Sequence, residues 1–317
     1  MPACAPMPTS QSSKRGGSPR LLVTIGDPAG IGPEVTLKTL AVFRGTNPVA
    51  VIGDLTLLRN LARSLHISIR WDRFQWIDMG PLTSGRAAFA YLMEAVRRIR
   101  AGEADALVTA PVSKEAIART GVSFIGHTEF LAEKFHRKTT MMFVTGKFRV
   151  SLLTTHHSIR NIARHLSKAE TVRVLNDTFE FVRRDLGIAR PRLALASLNP
   201  HAGENGMFGD EEKKILLPAV RAFKKAAGPL PVDTLMKQAA AGLYDAVVAV
   251  YHDQALIPVK LLGWDQAVNV TLGLPFVRTS PVHGTAFDIA GKGKADPRSM
   301  RAAVALALQL AGNRKQC

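Results

Sequence analysis

The stretch that decides the fold is LLVTIGDPAGIGPEVTLKTLAVF, residues 21–43, in which an apolar run leads into a glycine-rich turn and an amphipathic segment. Leu21–Ile25 lacks the regular polar–apolar alternation of a half-exposed strand, which predicts a strand buried on both faces. Pro33 falls in the first turn of the predicted helix Pro33–Phe43, where its missing N–H group costs nothing. The stretch therefore predicts a buried strand that leads directly into a helix.

The same alternation of short apolar runs and longer amphipathic segments continues along the chain. Further predicted strands are Val49–Gly53, Ala106–Thr109, Val150–Thr154, Arg192–Ser197, Ala246–Tyr251, Ala267–Leu272 and Phe276–Thr279. Further predicted helices are Leu55–Leu65, Arg86–Ala101, Ser113–Arg119, Thr128–Phe135, Lys168–Leu186, Glu211–Ala227 and Pro297–Ala311. The pattern predicts an α/β fold with a largely parallel or mixed sheet. A chain of 317 residues suffices for two layered lobes around a cleft or for one large domain.

Composition places the chain among globular proteins, with 46% hydrophobic and 21% charged residues. No apolar run approaches the roughly 20 residues of a membrane span, so we expect no membrane partner. Met1–Ser18 is rich in Pro, Ser and basic residues and lacks the apolar segment of a secretory signal, which predicts a disordered tail before a folded region at residues 19–317. The two cysteines of the sequence, Cys4 and Cys317, lie at its opposite termini and cannot form a disulfide framework or a Cys-based metal site, which favours a reducing, cytoplasmic location.

The net charge of +17 has three possible explanations. A basic field attracts nucleic acid, or it attracts a small anionic substrate and cofactor, or it reflects solvated Lys and Arg faces without a function. The sequence contains no run of five like charges and no helix-turn-helix, zinc-finger or RNA-binding signature. We therefore expect no nucleic-acid partner.

Three histidines follow predicted strands: His156, His201 and His252. Neutral imidazole is the commonest protein ligand for zinc and similar ions, and three protein ligands leave the open position of a catalytic site. The alternative is that each histidine makes a structural hydrogen bond at the end of its strand. The spacing alone does not decide between a metal site and three unconnected histidines.

Two glycine-containing segments also have two interpretations each. The turn Gly26–Glu34 either presents backbone N–H groups to an anion or is a tight strand-to-helix turn, and it matches neither Gly-x-Gly-x-x-Gly nor a P-loop. Gly126–Glu129 either caps a helix or holds a phosphate through His127 and Thr128. Three further polar residues have two interpretations as well. They either clamp a phosphate or carboxylate or are solvated at the surface: Lys260, Asn269 and Arg278.

The segment His283–Gly293 is a glycine-rich loop that contains one acidic residue among small neighbours. Its glycines would allow turns in any protein. The carboxylate of Asp288 is suited to accept both hydroxyls of an adenosine ribose, which favours NAD over its 2′-phosphate analogue NADP.

Together these segments resemble the 4-hydroxythreonine-4-phosphate dehydrogenase family of pyridoxal 5′-phosphate biosynthesis. The segments that carry the resemblance are Gly26–Glu34, Gly126–Phe130, Thr154–His156, Asn199–Glu204, Tyr251–Gln254, Val268–Ser280 and His283–Asp296. The loop from His283 is also similar to the adenosine-binding loop of isocitrate and isopropylmalate dehydrogenases. The resemblance implies two α/β/α lobes around a central cleft and a homodimer. We expect the lobe boundary near residues 121–126, with the C-terminal segment returning to the first lobe.

The resemblance also implies roles for individual residues. His156, His201 and His252 match the histidines that bind one divalent ion (zinc, cobalt or magnesium). The residues that match substrate contacts are His127, Thr128, Lys260, Asn269 and Arg278. Those expected to contact NAD are His283, Gly284, Thr285 and Asp288. Because the family's active site lies at the dimer interface, one subunit is expected to supply part of the metal site to the other.

The implied reaction is oxidation of C3 of 4-phosphooxy-L-threonine by NAD, followed by decarboxylation to 3-amino-2-oxopropyl phosphate. Asp253 and Lys260 are the candidate proton acceptors, with Lys114 as a third. One alternative is a sister dehydrogenase that acts on threonate or erythronate 4-phosphate or on a cyclic dihydrodiol carboxylate. Another is a metal-dependent hydrolase that uses the three histidines without NAD.

Overall fold

The computed structural model describes residues 18–316. The predicted tail Met1–Ser18 lies outside the described residues except for Ser18. In the described part of the chain, no helix is both long and apolar enough to cross a membrane.

Residues 18–316 form one 11-stranded sheet with the order β3-β2-β1-β4-β11-β10-β5-β6-β9-β7-β8. The strands are β1 Leu21–Thr24, β2 Val49–Gly53, β3 Gln75–Asp78, β4 Ala106–Thr109, β5 Thr140–Thr145, β6 Phe148–Leu152, β7 Leu193–Ala196, β8 Ala226–Leu230, β9 Ala246–Ala249, β10 Val268–Leu272 and β11 Val277–Pro281. The pairs β11/β10, β10/β5 and β5/β6 are antiparallel, and the other neighbours are parallel. The mixed sheet confirms the predicted fold class.

Helices cover both faces of this sheet. They are α1 Gly32–Ala41, α2 Leu55–Ser64, α3 Ser84–Arg100, α4 Lys114–Ala118, α5 His127–Lys134, α6 Ile162–His165, α7 Lys168–Glu180, α8 Leu217–Phe223, α9 Val232–Ala240, α10 His252–Gly263 and α11 Arg298–Gln316. Several of these helices have a side-chain cap at their first turn. The Asp54 carboxylate accepts the N–H of Leu57 in α2 at 2.9 Å, and the Ser167 hydroxyl accepts the N–H of Glu170 in α7 at 3.1 Å.

The apolar runs form strands because both of their faces are buried. Along β9, Val247 and Ala249 pack in one hydrophobic cluster, whereas Val248 belongs to a second cluster on the opposite face. A third cluster surrounds β1, β2 and β4. The C-terminal segment returns to these first strands, since β11 pairs with β4 and Thr279 donates to the carbonyl of Ala303 in α11 at 2.9 Å. The position of the lobe boundary stays a prediction.

The structure differs from the predicted element pattern in several elements. The predicted helix Glu211–Ala227 is too long: α8 ends at Phe223, Lys224 takes a left-handed conformation, and β8 begins at Ala226. Helix α10 was not expected, because Pro258 is typical of a helix break and here lies inside the helix. The strands β3 and β5 also lay outside the predicted set.

Candidate active site

A cavity of about 340 Å³ gathers most of the predicted site residues. All the predicted substrate contacts line it: His127, Thr128, Lys260, Asn269 and Arg278. The histidines His156, His252 and His283 line the same cavity, as does Gly284. A larger cavity of about 400 Å³ at the amino ends of β1 and β2 contains none of the predicted site residues. We therefore describe the 340 Å³ cavity as the candidate active-site pocket.

Arg278 on β11 is the buried cation of this pocket, with only 2% of its surface exposed. Its guanidinium donates to the hydroxyls of Thr271 at 3.0 Å and Thr109 at 2.7 Å, and its Nε has no partner within residues 18–316. Burial lowers the pKa of Arg278 to about 10, and the charge of Glu129 acts in the opposite direction. Arg278 therefore remains cationic at neutral pH and forms no salt bridge in the described chain, although the carboxylate of Glu129 lines the same pocket. Such a group favours an anionic ligand.

Two uncharged polar groups beside Arg278 also lack partners. His127, the first residue of α5, has a buried Nε2 with no hydrogen bond among the described residues, and so does the Oδ1 of Asn269. Burial holds the pKa of His127 well below its usual range, and the charges of Arg278 and Lys114 lower it further. Because buried polar atoms in folded proteins are nearly always hydrogen-bonded, these atoms point to a polar ligand.

Lys260 on α10 lies near the aromatic wall of the pocket. Its Nζ is 4.9 Å from the ring centre of Trp264, within the range of a cation–π contact. Lys114 and Glu129 line the pocket as well. The signals that could have found Glu129 and Thr109 in the sequence are weak: Glu129 follows Gly126 at the predicted start of a helix, and Thr109 is a polar residue at the end of a strand.

His156 and His252 approach each other because the ends of β6 and β9 are tied together. Thr154 donates its hydroxyl to the carbonyl of Val250 at 2.7 Å, and the buried Gln254 accepts the N–H of Val250 at 2.8 Å. The two imidazole rings are 6.1 Å apart, centre to centre. Two imidazoles that share one zinc-like ion have ring centres roughly 5–6 Å apart, given metal–nitrogen distances of about 2 Å.

The environment of the two rings suits metal ligands. The Nδ1 of His252 lies 2.7 Å from Oδ1 of Asp253, which leaves Nε2 available to a ligand. Burial lowers the pKa of His156, and the charge of Lys114 lowers it further, so the ring favours its neutral, metal-binding form. These two residues therefore fit a divalent ion as part of its donor set.

His201 does not join them within one chain. It lies on a separate cavity with Asn199 and Tyr251, and residues 18–316 contain no group of three His, Cys, Asp or Glu side chains that could hold a metal. The predicted convergence of three histidines is thus absent from the single chain. The predicted sharing of the site between two subunits remains compatible with this placement.

The loop that carries His201 is held in an unusual conformation. The five residues His201–Asn205 all have positive φ, which is costly for residues with a side chain. The carboxylate of buried Glu212 accepts the N–H groups of Leu198 and Asn199, each at 2.8 Å. These bonds anchor the start of the loop and leave His201 exposed at the surface.

The predicted cofactor loop begins at the pocket and leads away from it. His283 and Gly284 line the pocket, whereas Thr285 and Asp288 lie further along and Asp288 is exposed. The Nε2 of His283 is buried without a partner in the described chain, and burial lowers the pKa of this ring. The contacts expected between this loop and NAD stay predictions.

The structure decides between the two interpretations of the Gly26–Glu34 turn. Its amides bond within the chain: Asp27 N–H donates to Pro111 at 2.9 Å, Gly30 N–H to Asp27 at 3.0 Å and Ile31 N–H to Thr285 at 2.8 Å. A Cβ atom on Gly32 would lie 2.1 Å from the carbonyl oxygen of Ile25. The segment is therefore a tight turn and does not present these amides to an anion.

The fold and pocket define an α/β protein with a cavity suited to a small anion. The family described as pyridoxal phosphate biosynthetic protein PdxA matches residues 48–307. The chain is 41% identical to 4-hydroxythreonine-4-phosphate dehydrogenase of Geobacter metallireducens, over 92% of this chain and 96% of that protein. It is 40% identical to D-threonate 4-phosphate dehydrogenase of Salmonella typhimurium, over 91% and 98%.

A solved structure agrees with these similarities. The crystal structure of 4-hydroxythreonine-4-phosphate dehydrogenase from Klebsiella pneumoniae superposes with a TM-score of 0.84 at 40% identity, covering 94% of this chain and 99% of that one. The chain belongs to the PdxA family, whose members named here are dehydrogenases. This membership confirms the family resemblance found in the sequence.

Proposed function

We propose that the protein oxidises the C3 hydroxyl of 4-phosphooxy-L-threonine with NAD and releases 3-amino-2-oxopropyl phosphate and CO2. The observation that carries the proposal is the buried guanidinium of Arg278, which forms no salt bridge within residues 18–316 and which a phosphate or carboxylate of the substrate would neutralise. The names of several relatives support this substrate. The oxidation transfers a hydride from C3 to NAD and releases the hydroxyl proton, and loss of CO2 from the resulting 3-oxo acid is completed by protonation of the product.

Several residues of the pocket would orient the substrate. Arg278, His127 and Asn269 contribute a cation and two polar atoms that have no hydrogen-bond partner among the described residues. Lys114 adds positive charge and would neutralise the second anionic group of the substrate. Holding both anionic groups fixes the position of C3 between them.

A divalent ion would be held by His156 and His252, with His201 of the partner subunit as the third ligand. When bound, such an ion lowers the pKa of an alcohol and stabilises negative charge on oxygen. Of the candidate proton acceptors, Asp253 contacts Nδ1 of His252 and orients that ring, whereas Lys260 has no hydrogen-bonding partner in the described chain. We therefore assign proton transfer from the C3 hydroxyl to Lys260.

The proposal includes a homodimer, and exposed apolar side chains support it. Leu261 is 82% exposed on α10, the helix that carries His252 and Lys260. Met207 is 75% exposed just beyond His201. Apolar side chains exposed next to an incomplete metal site are suited to an interface with a second copy. The cytoplasmic location expected from the sequence stays a prediction.

D-threonate 4-phosphate is a second candidate substrate, because relatives with that name are as similar to this chain as those named for 4-hydroxythreonine 4-phosphate. The test is the initial rate of NADH formation with each compound at equal concentration. We expect a higher kcat/KM for 4-phosphooxy-L-threonine. A higher value for D-threonate 4-phosphate would support the second candidate, and no NADH with either would reject both.

A further inference from the structure

Helix α1 contacts the predicted cofactor loop through a buried ion pair. The Glu34 side chain is fully buried, and its carboxylate accepts the N–H groups of Ala295 at 2.9 Å and Gly293 at 3.2 Å. Lys38, one helical turn later, pairs with Glu34 at 2.7 Å. The Lys38 Nζ also donates to the carbonyls of Gly293 and Ala295, each at 2.8 Å.

The other end of the loop is held by the turn before α1. The N–H of Ile31 donates to the carbonyl of Thr285 at 2.8 Å. Gly30 lies so close that an added Cβ would be 2.9 Å from this same carbonyl oxygen. The segment between Thr285 and Ala295, which includes exposed Asp288, is therefore fixed at both ends by one turn and one helix.

The Gly26–Glu34 turn, which holds one end of the loop, is itself anchored by a buried residue. Asp27 is fully buried, and its carboxylate accepts the hydroxyl of Ser84 on α3 at 2.7 Å and the N–H of Ala29 at 3.0 Å. The turn is thus attached to the core of the sheet and its helices. A loop attached to such a base keeps its conformation before a ligand arrives, which reduces the ordering cost of binding.

We propose that Glu34 and Lys38 are positioning residues for the nicotinamide cofactor, because they hold the Thr285–Ala295 loop in its binding conformation. This inference rests on the proposed function, which assigns the loop to NAD. It also gives the Gly26–Glu34 turn a role: the turn orders the cofactor loop through Ile31 and Gly30. Neither Glu34 nor Lys38 needs to touch the cofactor.

The test compares Glu34→Gln and Lys38→Met with the wild-type protein. Glu94→Gln is the matched control, because Glu94 forms an i,i+4 pair with Arg98 at 2.7 Å and the hydrogen bonds of its carboxylate stay within α3. We expect the KM and Kd for NAD to rise about tenfold in both test variants, the scale of one or two lost hydrogen bonds to a charged group. The KM for substrate and the kcat at saturating NAD should change less than twofold, because neither Glu34 nor Lys38 lines the candidate active-site pocket.

Hydrogen exchange provides a readout that does not depend on activity. Amides of residues 285–295 should exchange faster in both test variants and at the wild-type rate in Glu94→Gln. Lys38 is partly exposed, so we expect Lys38→Met to fold. This variant can be measured alone if Glu34→Gln does not fold. Unchanged NAD affinity in a folded variant would overturn the positioning role. Failure of the wild-type protein to bind NAD would instead overturn the proposed cofactor, and the positioning role with it.

Discussion

The guanidinium of Arg278 on β11 donates to the hydroxyl of Thr109 at the end of β4, at 2.7 Å, across two parallel strands. This bond fixes the direction of a cation that forms no salt bridge within the described chain. A buried charge without a partner destabilises a folded protein, and a bound anion removes that penalty. Binding of an anion beside Arg278 is therefore expected to raise the free energy of unfolding.

Arg278→Met should lower kcat/KM for the phosphorylated substrate by about two orders of magnitude, because losing a buried charge-assisted contact costs roughly 2–5 kcal/mol. The free energy of unfolding without ligand should stay equal or increase, since the variant removes an unpaired buried charge. Steady-state kinetics and denaturant unfolding measure the two effects. A variant with lower stability and unchanged kcat/KM would show that Arg278 has only a structural role.

Asp253→Asn should weaken metal binding by about 10- to 100-fold, because a carboxylate beside a ligating imidazole orients the ring and raises its basicity. Competition of zinc or cobalt with a chromophoric chelator measures this affinity. Excess metal should restore part of the lost activity. Asp72→Asn is a suitable control, since Asp72 is exposed and lies in a different cavity. If the Asp253 variant bound metal as tightly as the wild-type protein, Asp253 would have no role in the metal site.

Mixed dimers test whether two subunits share the site. His201→Ala and His252→Ala should each abolish metal-dependent turnover. After the two variants are unfolded and refolded together, about one quarter of the sites should combine intact histidines from both subunits, given random pairing in a twofold dimer. Recovery of about that fraction of wild-type activity is expected. If the mixture stays as inactive as either variant alone, all the ligands belong to one chain.

Stability should depend on pH through His127. Burial lowers the pKa of His127 in the folded protein, so the unfolded chain binds more protons and the free energy of unfolding falls as pH drops below about 6.5. Between about pH 7 and about pH 5, the free energy of unfolding should fall in both proteins. The fall in His127→Asn should be smaller than in the wild-type protein by up to ~2 kcal/mol. Denaturant unfolding at the two pH values measures the difference. An identical loss in both proteins would mean that His127 is not buried as a neutral ring.

The sequence predicted the α/β class because strands such as β1 and β4 are buried on both faces and appear as uninterrupted apolar runs. It did not predict α10, since the tolerance of Pro258 inside a helix depends on tertiary packing. The predicted substrate contacts rest on the family resemblance, and the structure places all of them in one pocket.

Other features of the site depend on distant parts of the chain. The partners Thr109 and Arg278 are 169 residues apart, and no local pattern relates them. Lys38 and Gly293 are 255 residues apart, and no local pattern relates them either. His201 lies on a different cavity from His156 and His252, and no local pattern in the sequence indicates that separation.

The most direct measurement is turnover of 4-phosphooxy-L-threonine with NAD, followed by NADH absorbance and CO2 release, before and after removal of metal with a chelator. We expect equal amounts of NADH and CO2, loss of both on chelation, and recovery when zinc or cobalt is added to the protein. Turnover that is unaffected by the chelator, or substrate consumption without NADH, would contradict a metal-assisted, NAD-dependent oxidation in the pocket of Arg278, His156 and His252.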